Sequence, residues 1–173
     1  METAQFDVLR EIGNIGAGNA TTALSKLLDA RIDMRVPKVN LLGFSDITSI
    51  IGNEEDVMVG ILLGLEGDVN GMMMFLLDMT SAEKLVEAVL KKHKKVADAV
   101  VVGLPDKEWG HRIHAIVETS EAVTAKELIK FALDYLPPYK IPKSFEFVDS
   151  IPRNESGKVV RSRLIEESLE KGY

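Results

Sequence analysis

Three polar residues near the start of the chain have types and spacing that could do chemistry. Asp7, Glu11 and Asn14 stand four and three residues apart, which on a helix places all three side chains on one face. Carboxylates accept hydrogen bonds and a carboxamide both donates and accepts, so such a face can hold and orient a partner. The plainer reading is a solvated helix face. Gly13, Gly16 and Gly18 lie in the same stretch. Their order, G-x-x-G-x-G without a preceding strand, is not the dinucleotide fingerprint. They are expected to thin the helix so that another backbone can pack closely, each at a helix cost of up to about 1 kcal/mol. Three consecutive methionines, Met72, Met73 and Met74, alternate across a strand and read as core filler rather than ligands. Far along the chain Lys158 follows Ser156-Gly157; on its own it reads as an exposed loop lysine. With no Cys there is no thiol nucleophile, disulfide or cysteine metal site. With only His93, His111 and His114, no metal is expected.

The elements that must carry these residues follow from periodicity. Apolar residues at intervals of three and four predict a helix over 6–28. Alternation at Ile32, Met34 and Val36 predicts a strand over 31–42, and a short helix follows at 45–51 with Ser45 as N-cap. Residues 57–65 and 69–77 read as a hairpin around Glu66-Gly67-Asp68. Thr80 or Ser81 should cap a helix running to about residue 92, with Leu85, Val86, Val89 and Leu90 inward. Strands are expected at 96–102, buried on both faces, at 112–119 and at 144–148. A helix at 124–135 opens with a capping box, Thr124 and Glu127, and a last helix covers 162–169. The class is α/β (α+β): mixed β-sheets with flanking helices.

Composition changes near residue 90. Residues 1–90 carry 6 Lys+Arg against 14 Asp+Glu, whereas residues 91–173 carry 15 against 13. All seven Met lie in the first part; five of the six Pro, the Trp and all three Tyr lie in the second. The net charge of −6 argues against nucleic acid as the main partner. No apolar run is long enough to span a bilayer, and Met1-Glu2 begins no secretory pattern. The expectation is a cytoplasmic chain without membrane partners.

The pattern Asp-x3-Glu-x2-Asn-x22-Pro, ending at Pro37, resembles the signature of the CheC-type phosphatases of bacterial chemotaxis. Leu9-Arg10-Glu11-Ile12-Gly13-Asn14-Ile15-Gly16-Ala17-Gly18-Asn19-Ala20 is similar to that family's opening helix, and the likeness runs over about 5–90. The resemblance implies that the helix docks on a phosphorylated CheY-type receiver. Asn14 would orient a water for in-line attack, Glu11 would pair with the receiver's lysine, and Asp7 and Pro37 would support them. An acyl phosphate is already activated, so positioning is most of what the chain must add. No cofactor of its own is implied, because Mg²⁺ would come with the receiver. The family's second, pseudo-symmetric half has no counterpart after residue 90.

From about 84 to 169 the chain resembles something else. Val96-Ala97-Asp98-Ala99-Val100-Val101-Val102-Gly103-Leu104-Pro105-Asp106, Glu108-Trp109-Gly110, Leu136-Pro137-Pro138-Tyr139-Lys140-Ile141-Pro142 and Ile151-Pro152-Arg153-Asn154-Glu155-Ser156-Gly157-Lys158 are similar to the small C-terminal domain of the acyl-CoA synthetase, adenylation-domain and luciferase superfamily. The resemblance gives Lys158 the role of contacting carboxylate and phosphate oxygens during adenylate formation. It places Gly110 near a CoA channel. The family's phosphate loop and its aromatic-Gly-x-Thr-Glu segment are not among these residues, so Lys158 is expected to be inactive here and the chain is not a competent ligase.

Both resemblances run into one helix, about 81–92. The expected organisation is a CheC-like half over 1–92 and an adenylate-forming C-terminal-like subdomain over 93–173, two half-domains sharing that helix. The most economical reading is an engineered chimera or recombined fold. At most it dephosphorylates a phosphorylated CheY-type receiver weakly, through Glu11 and Asn14. The alternatives are a scaffold without activity and, third, an inactive ligase fragment. A half that lacks its mate leaves apolar surface to cover, by packing between the pieces or by homodimerisation.

Overall fold

Four consecutive buried residues, Ala99 to Val102, lie mid-strand with neither face open to water, and they set the layout around them. The coordinates are a computed structural model that describes residues 3–29, 31–32, 38–40, 42–43, 46, 58–68, 70–108 and 110–173. The described elements are α1 (Thr3–Leu28), β1 (Met58–Leu65), β2 (Gly71–Asp78), α2 (Met79–Leu90), β3 (Val96–Asp106), β4 (Gly110–Thr119), α3 (Ala125–Leu133), a 3₁₀ turn (Pro138–Lys140), β5 (Ser144–Val148) and α4 (Arg161–Glu170). They form an α+β fold with two sheets. The strand and short helix expected at 31–42 and 45–51 fall largely outside the described residues.

The chain divides into two compact units, Met1–Asp56 and Val57–Tyr173. In the first, α1 is 26 residues long and none of its described residues is buried. Asp29 ends it in the left-handed conformation, at φ 49°, which Asp tolerates better than most residues.

In the second unit β3 pairs antiparallel with β4, which pairs parallel with β5. One face of β3 contributes Val100, Val102 and Leu104 to a cluster with Ile116, Ile151 and Leu164. The other meets α2, whose Val86, Val89 and Leu90 are buried. Each such side chain taken fully out of water contributes about 1.5–3 kcal/mol. The second sheet is the hairpin β1–β2, in register from Met58–Asp78 to Leu65–Gly71. Helix α2 touches both this hairpin and β3, and it is continuous. Its cap differs from the expected Thr80 or Ser81. Asp78 sits at the N-cap, and its Oδ1 accepts from the Ser81 amide at 2.7 Å. A carboxylate at the last strand position outcompetes the two hydroxyls because it can also take the Ser81 hydroxyl, at 2.9 Å. These two bonds hold the Asp78 carboxyl below its ordinary range.

The methionines are a second correction. Met72, Met73 and Met74 are 76%, 43% and 59% exposed, and Leu62 and Phe75 are at least half exposed. The period-2 pattern of a strand gives two faces, but a two-stranded ribbon has nothing of its own to bury either against. Leu85, expected inward, is only half-buried.

Candidate functional site

The polar trio on α1 is arranged as its spacing requires. Asp7 is tied down: Arg10 Nη2 donates to its Oδ1 at 2.8 Å, with both side chains well exposed. Glu11 is exposed and Asn14 half-buried, and among the described residues neither side chain is engaged in a hydrogen bond or ion pair. Apolar residues flank them on the same helix: Val8, Ile12 and Ile15 are 58%, 60% and 57% exposed. The arrangement is therefore a free carboxylate and a free carboxamide beside an open apolar strip, on one rigid helix. Such a surface can hold a protein partner and present two polar groups to it; it contains no strong base or nucleophile.

The glycines do not have the role expected of them. A Cβ at Gly16 or Gly18 would meet nothing within 4 Å, and one at Gly13 would touch Val39 Cγ2 at an ordinary 3.9 Å. No close backbone approach explains them. Pro37 lies outside the described residues.

Lys158 and Gly110 belong to the second unit, Val57–Tyr173. Lys158 closes a tight loop built on one side chain. Asn154 Oδ1 accepts from Ser156 N at 3.1 Å, Ser156 Oγ at 2.8 Å and Lys158 N at 2.8 Å. Arg153 Nη1 donates to Gly157 O at 3.0 Å, and Gly157 has φ +75°, a conformation that favours glycine. The loop is thus pre-organised while Lys158 itself is exposed. Gly110 has φ +73° and opens β4 opposite Asp106. A three-residue hairpin loop needs a left-handed residue there, which gives this glycine a purely conformational reason.

Two charged clusters escaped the sequence reading. Strand β3 is an edge of its sheet, and α2 covers that edge. Glu87 Oε1 accepts from Val101 N at 2.8 Å and Glu83 Oε1 from Gly103 N at 2.9 Å. Arg161 Nη1 donates to Val101 O at 2.7 Å and to Glu87 Oε1 at 2.9 Å. Unpaired strand amides are a template for aggregation, and charged side chains blunt them. Burial pushes the Glu83 carboxyl above its ordinary value, with Arg161 opposing. The fit is close, since a Cβ on Gly103 would come 3.2 Å from Met79 Cε. The readable signal was that Glu83 and Glu87, four apart, border the apolar arc of a helix otherwise read only for its Leu and Val.

The second cluster is buried. His114 is fully enclosed; its Nδ1 lies 2.7 Å from Ser144 Oγ. Its Nε2 has no hydrogen bond and stands 3.7 Å from Glu146 Oε2. Glu146 in turn takes Lys171 and, at 3.3 Å, Ser168 Oγ. Burial pushes the His114 ring below its ordinary value, with Glu146 opposing. No group of three or more His, Asp or Glu suited to a metal occurs among the described residues.

Two families match, in two different stretches. Residues 5–41 match the CheC-like family and residues 85–158 match the AMP-binding enzyme C-terminal domain. The α1 trio and Pro37 fall in the first stretch, Gly110 and Lys158 in the second. The CheY-P phosphatase CheC of Bacillus subtilis is 38% identical over 86 residues, 50% of this chain and 41% of that protein. The 2-succinylbenzoate–CoA ligase of Bacillus licheniformis is 47% identical over 79 residues, 46% of this chain and 16% of the ligase. The fatty acid–[acyl-carrier-protein] ligase ScoC of Streptomyces coeruleorubidus is 43% identical over 81 residues, again 46% and 16%. The chain spans less than half the length of these relatives. It joins a CheC-like segment to an AMP-binding C-terminal segment.

Proposed function

We propose that this chain is a recombined protein whose inherited chemistry, where it has any, is confined to α1. Its partner would be a phosphorylated CheY-type receiver, and its action a weak dephosphorylation through Glu11 and Asn14. The observation that carries this reading is that both side chains are uncommitted, on one helical face, beside the exposed Val8, Ile12 and Ile15. Asn14 would align a water on the acyl phosphate, Glu11 would pair with the receiver's lysine, and Asp7 and Pro37 would have supporting roles. The receiver would bring Mg²⁺; no cofactor is proposed for this chain, and neither nucleic acid nor membrane is proposed as a partner. We take the chain as cytoplasmic; no helix among the described residues is long and apolar enough to cross a membrane. Homodimerisation would cover the open apolar side chains of α1 and the hairpin. Adenylation is not proposed, and Lys158 and Gly110 are read as inherited features.

A scaffold without activity is the competing reading, favoured by the absence of any buried residue among those described in α1. Phosphate release from a phosphorylated receiver, at high concentrations of this chain, separates the two. The proposal expects release above the spontaneous rate, falling about tenfold or more in Asn14→Ala, a change of only about 1.4 kcal/mol against the several that positioning can supply. Equal, spontaneous rates for both proteins would leave the scaffold.

A further inference from the structure

Strands β4 and β5 bring a hydroxyl, an imidazole and a carboxylate together in a row that the α1 chemistry does not use. Their parallel register sets His114 opposite Ser144. Side chains alternate along a strand, so Glu146 shares a face with Ser144, and Arg112 shares one with His114. Ser144 Oγ lies 2.7 Å from His114 Nδ1 and accepts from Arg112 Nη1 at 2.8 Å. Across the ring, Nε2 faces Glu146 Oε2 at 3.7 Å and has no hydrogen bond.

The proton positions follow from what each group can do. Glu146, paired with Lys171, is a carboxylate and only accepts. The proton of a neutral His114 ring therefore belongs on Nε2, and Nδ1 keeps its lone pair for the Ser144 hydroxyl. Burial holds the ring below its ordinary value, in the neutral form that can take a proton. The imidazole is wholly enclosed, with the Tyr173 ring 4.7 Å away, whereas Ser144 and Arg112 are partly open to solvent. A hydroxyl within hydrogen-bond reach of a base, itself oriented by a third group, is the arrangement of an activated nucleophile. We propose that Ser144 is an acyl-accepting nucleophile toward aryl esters, with His114 as general base and Glu146 as the positioning residue. The Oγ–carbonyl bond forms as the hydroxyl proton passes to Nδ1. The carbonyl–aryloxy bond then breaks, and the phenol leaves with that proton. Water attacks the acyl group, its proton passing to Nδ1 and on to Oγ, and the carboxylic acid is released. Arg112, donating to Oγ, stabilises the negative charge that develops there.

The test treats the full chain with para-nitrophenyl acetate and, separately, with an alkyl fluorophosphonate, and locates adducts by peptide mass mapping. Both should label Ser144, and neither should do so in the urea-unfolded chain. Acylation at Ser144 should fall at least about tenfold in His114→Gln, and nitrophenol release should fall likewise in Ser144→Ala. The groups facing the ring are Arg112 from β4, Ser144 and Glu146 from β5, Ser168 from α4, and Lys171 and Tyr173 from the C-terminal turn. Acylation should rise with pH as the ring loses its proton, and Glu146→Gln should move that midpoint down, because Glu146 opposes the effect of burial. If His114→Gln does not fold, the mapping and the pH midpoint still decide. The proposal is overturned if Ser144 carries no adduct, if the unfolded chain labels equally, or if Ser144→Ala releases nitrophenol at the wild-type rate. It is equally overturned if folded His114→Gln acylates as fast, or if the midpoint does not move in Glu146→Gln.

Discussion

Helices α1 and α2 both carry apolar residues at intervals of three and four, yet they do opposite things with them. The shorter, α2, buries Val86, Val89 and Leu90 and anchors the edge of β3 with Glu83 and Glu87. The longer, α1, leaves Val8, Ile12 and Ile15 more than half exposed, and its Glu11 and Asn14 side chains have no hydrogen bond or ion pair among the described residues. Amphipathic spacing therefore specifies a helix with an apolar stripe, and what covers the stripe decides whether it becomes core or binding surface. In this chain α2 contributes to the described core, whereas the described residues of α1 contribute none.

Substitutions at matched positions on the two helices should separate these roles most sharply. Leu90→Ala is expected to cost about 2–5 kcal/mol in urea unfolding, whereas Ile12→Ala should change stability by no more than about 0.5 kcal/mol. Comparable losses would show that α1 is part of the core.

The carboxylates make the next comparison. Glu87→Leu leaves the Val101 amide without its acceptor and removes one of the acceptors of Arg161, so a loss of about 1–3 kcal/mol is expected. Glu11→Leu removes no hydrogen bond or ion pair among the described residues and should leave the denaturation midpoint unmoved. If Glu87→Leu is equally silent, the edge strand does not depend on its carboxylate cover.

A pH series probes the second unit alone. The folded His114 ring takes up its proton below its ordinary value of 6.5, so on acidification the unfolded chain binds a proton first. Stability should be complete above about pH 6.5 and decline as the pH falls below it. Arg112, Glu146 and Lys171 face the ring from β4, β5 and the C-terminal turn, and Glu146 moderates the effect. His114→Gln should flatten this segment of the curve; an unchanged slope would assign it to other groups.

The smallest effect is expected at Asp7. Its pair with Arg10 is exposed on both sides, and such pairs contribute about 0–1 kcal/mol. Asp7→Ala should barely change stability, and should slow phosphate release less than Asn14→Ala does.

Features set by a few neighbouring residues were legible in the sequence. The Thr124–Glu127 capping box forms as its spacing implies, with bonds of 3.2 and 2.8 Å, and Gly67 turns the hairpin at φ +131°. The trio at 7, 11 and 14 could be placed on one face because helical geometry fixes it. Features set by competition or by distant partners were not legible. Thr80 and Ser81 read as the caps of α2, and only the turn out of β2 selects Asp78 instead. Glu87 reads as solvent-facing until Val101 and Arg161 are known to lie opposite. Met72, Met73 and Met74 have the composition of a core, but a ribbon of two strands has none.

The central claim is that a receiver partner meets the α1 face and not the Lys158 loop. It is tested most directly by an NMR titration of isotope-labelled chain with a CheY-type receiver held in its phosphorylated form. The account predicts saturable shifts at Val8, Glu11, Ile12, Asn14 and Ile15, weakened in Asn14→Ala, with residues 153–158 unmoved. Shifts centred on Lys158, or none on α1 at saturating receiver, would contradict it.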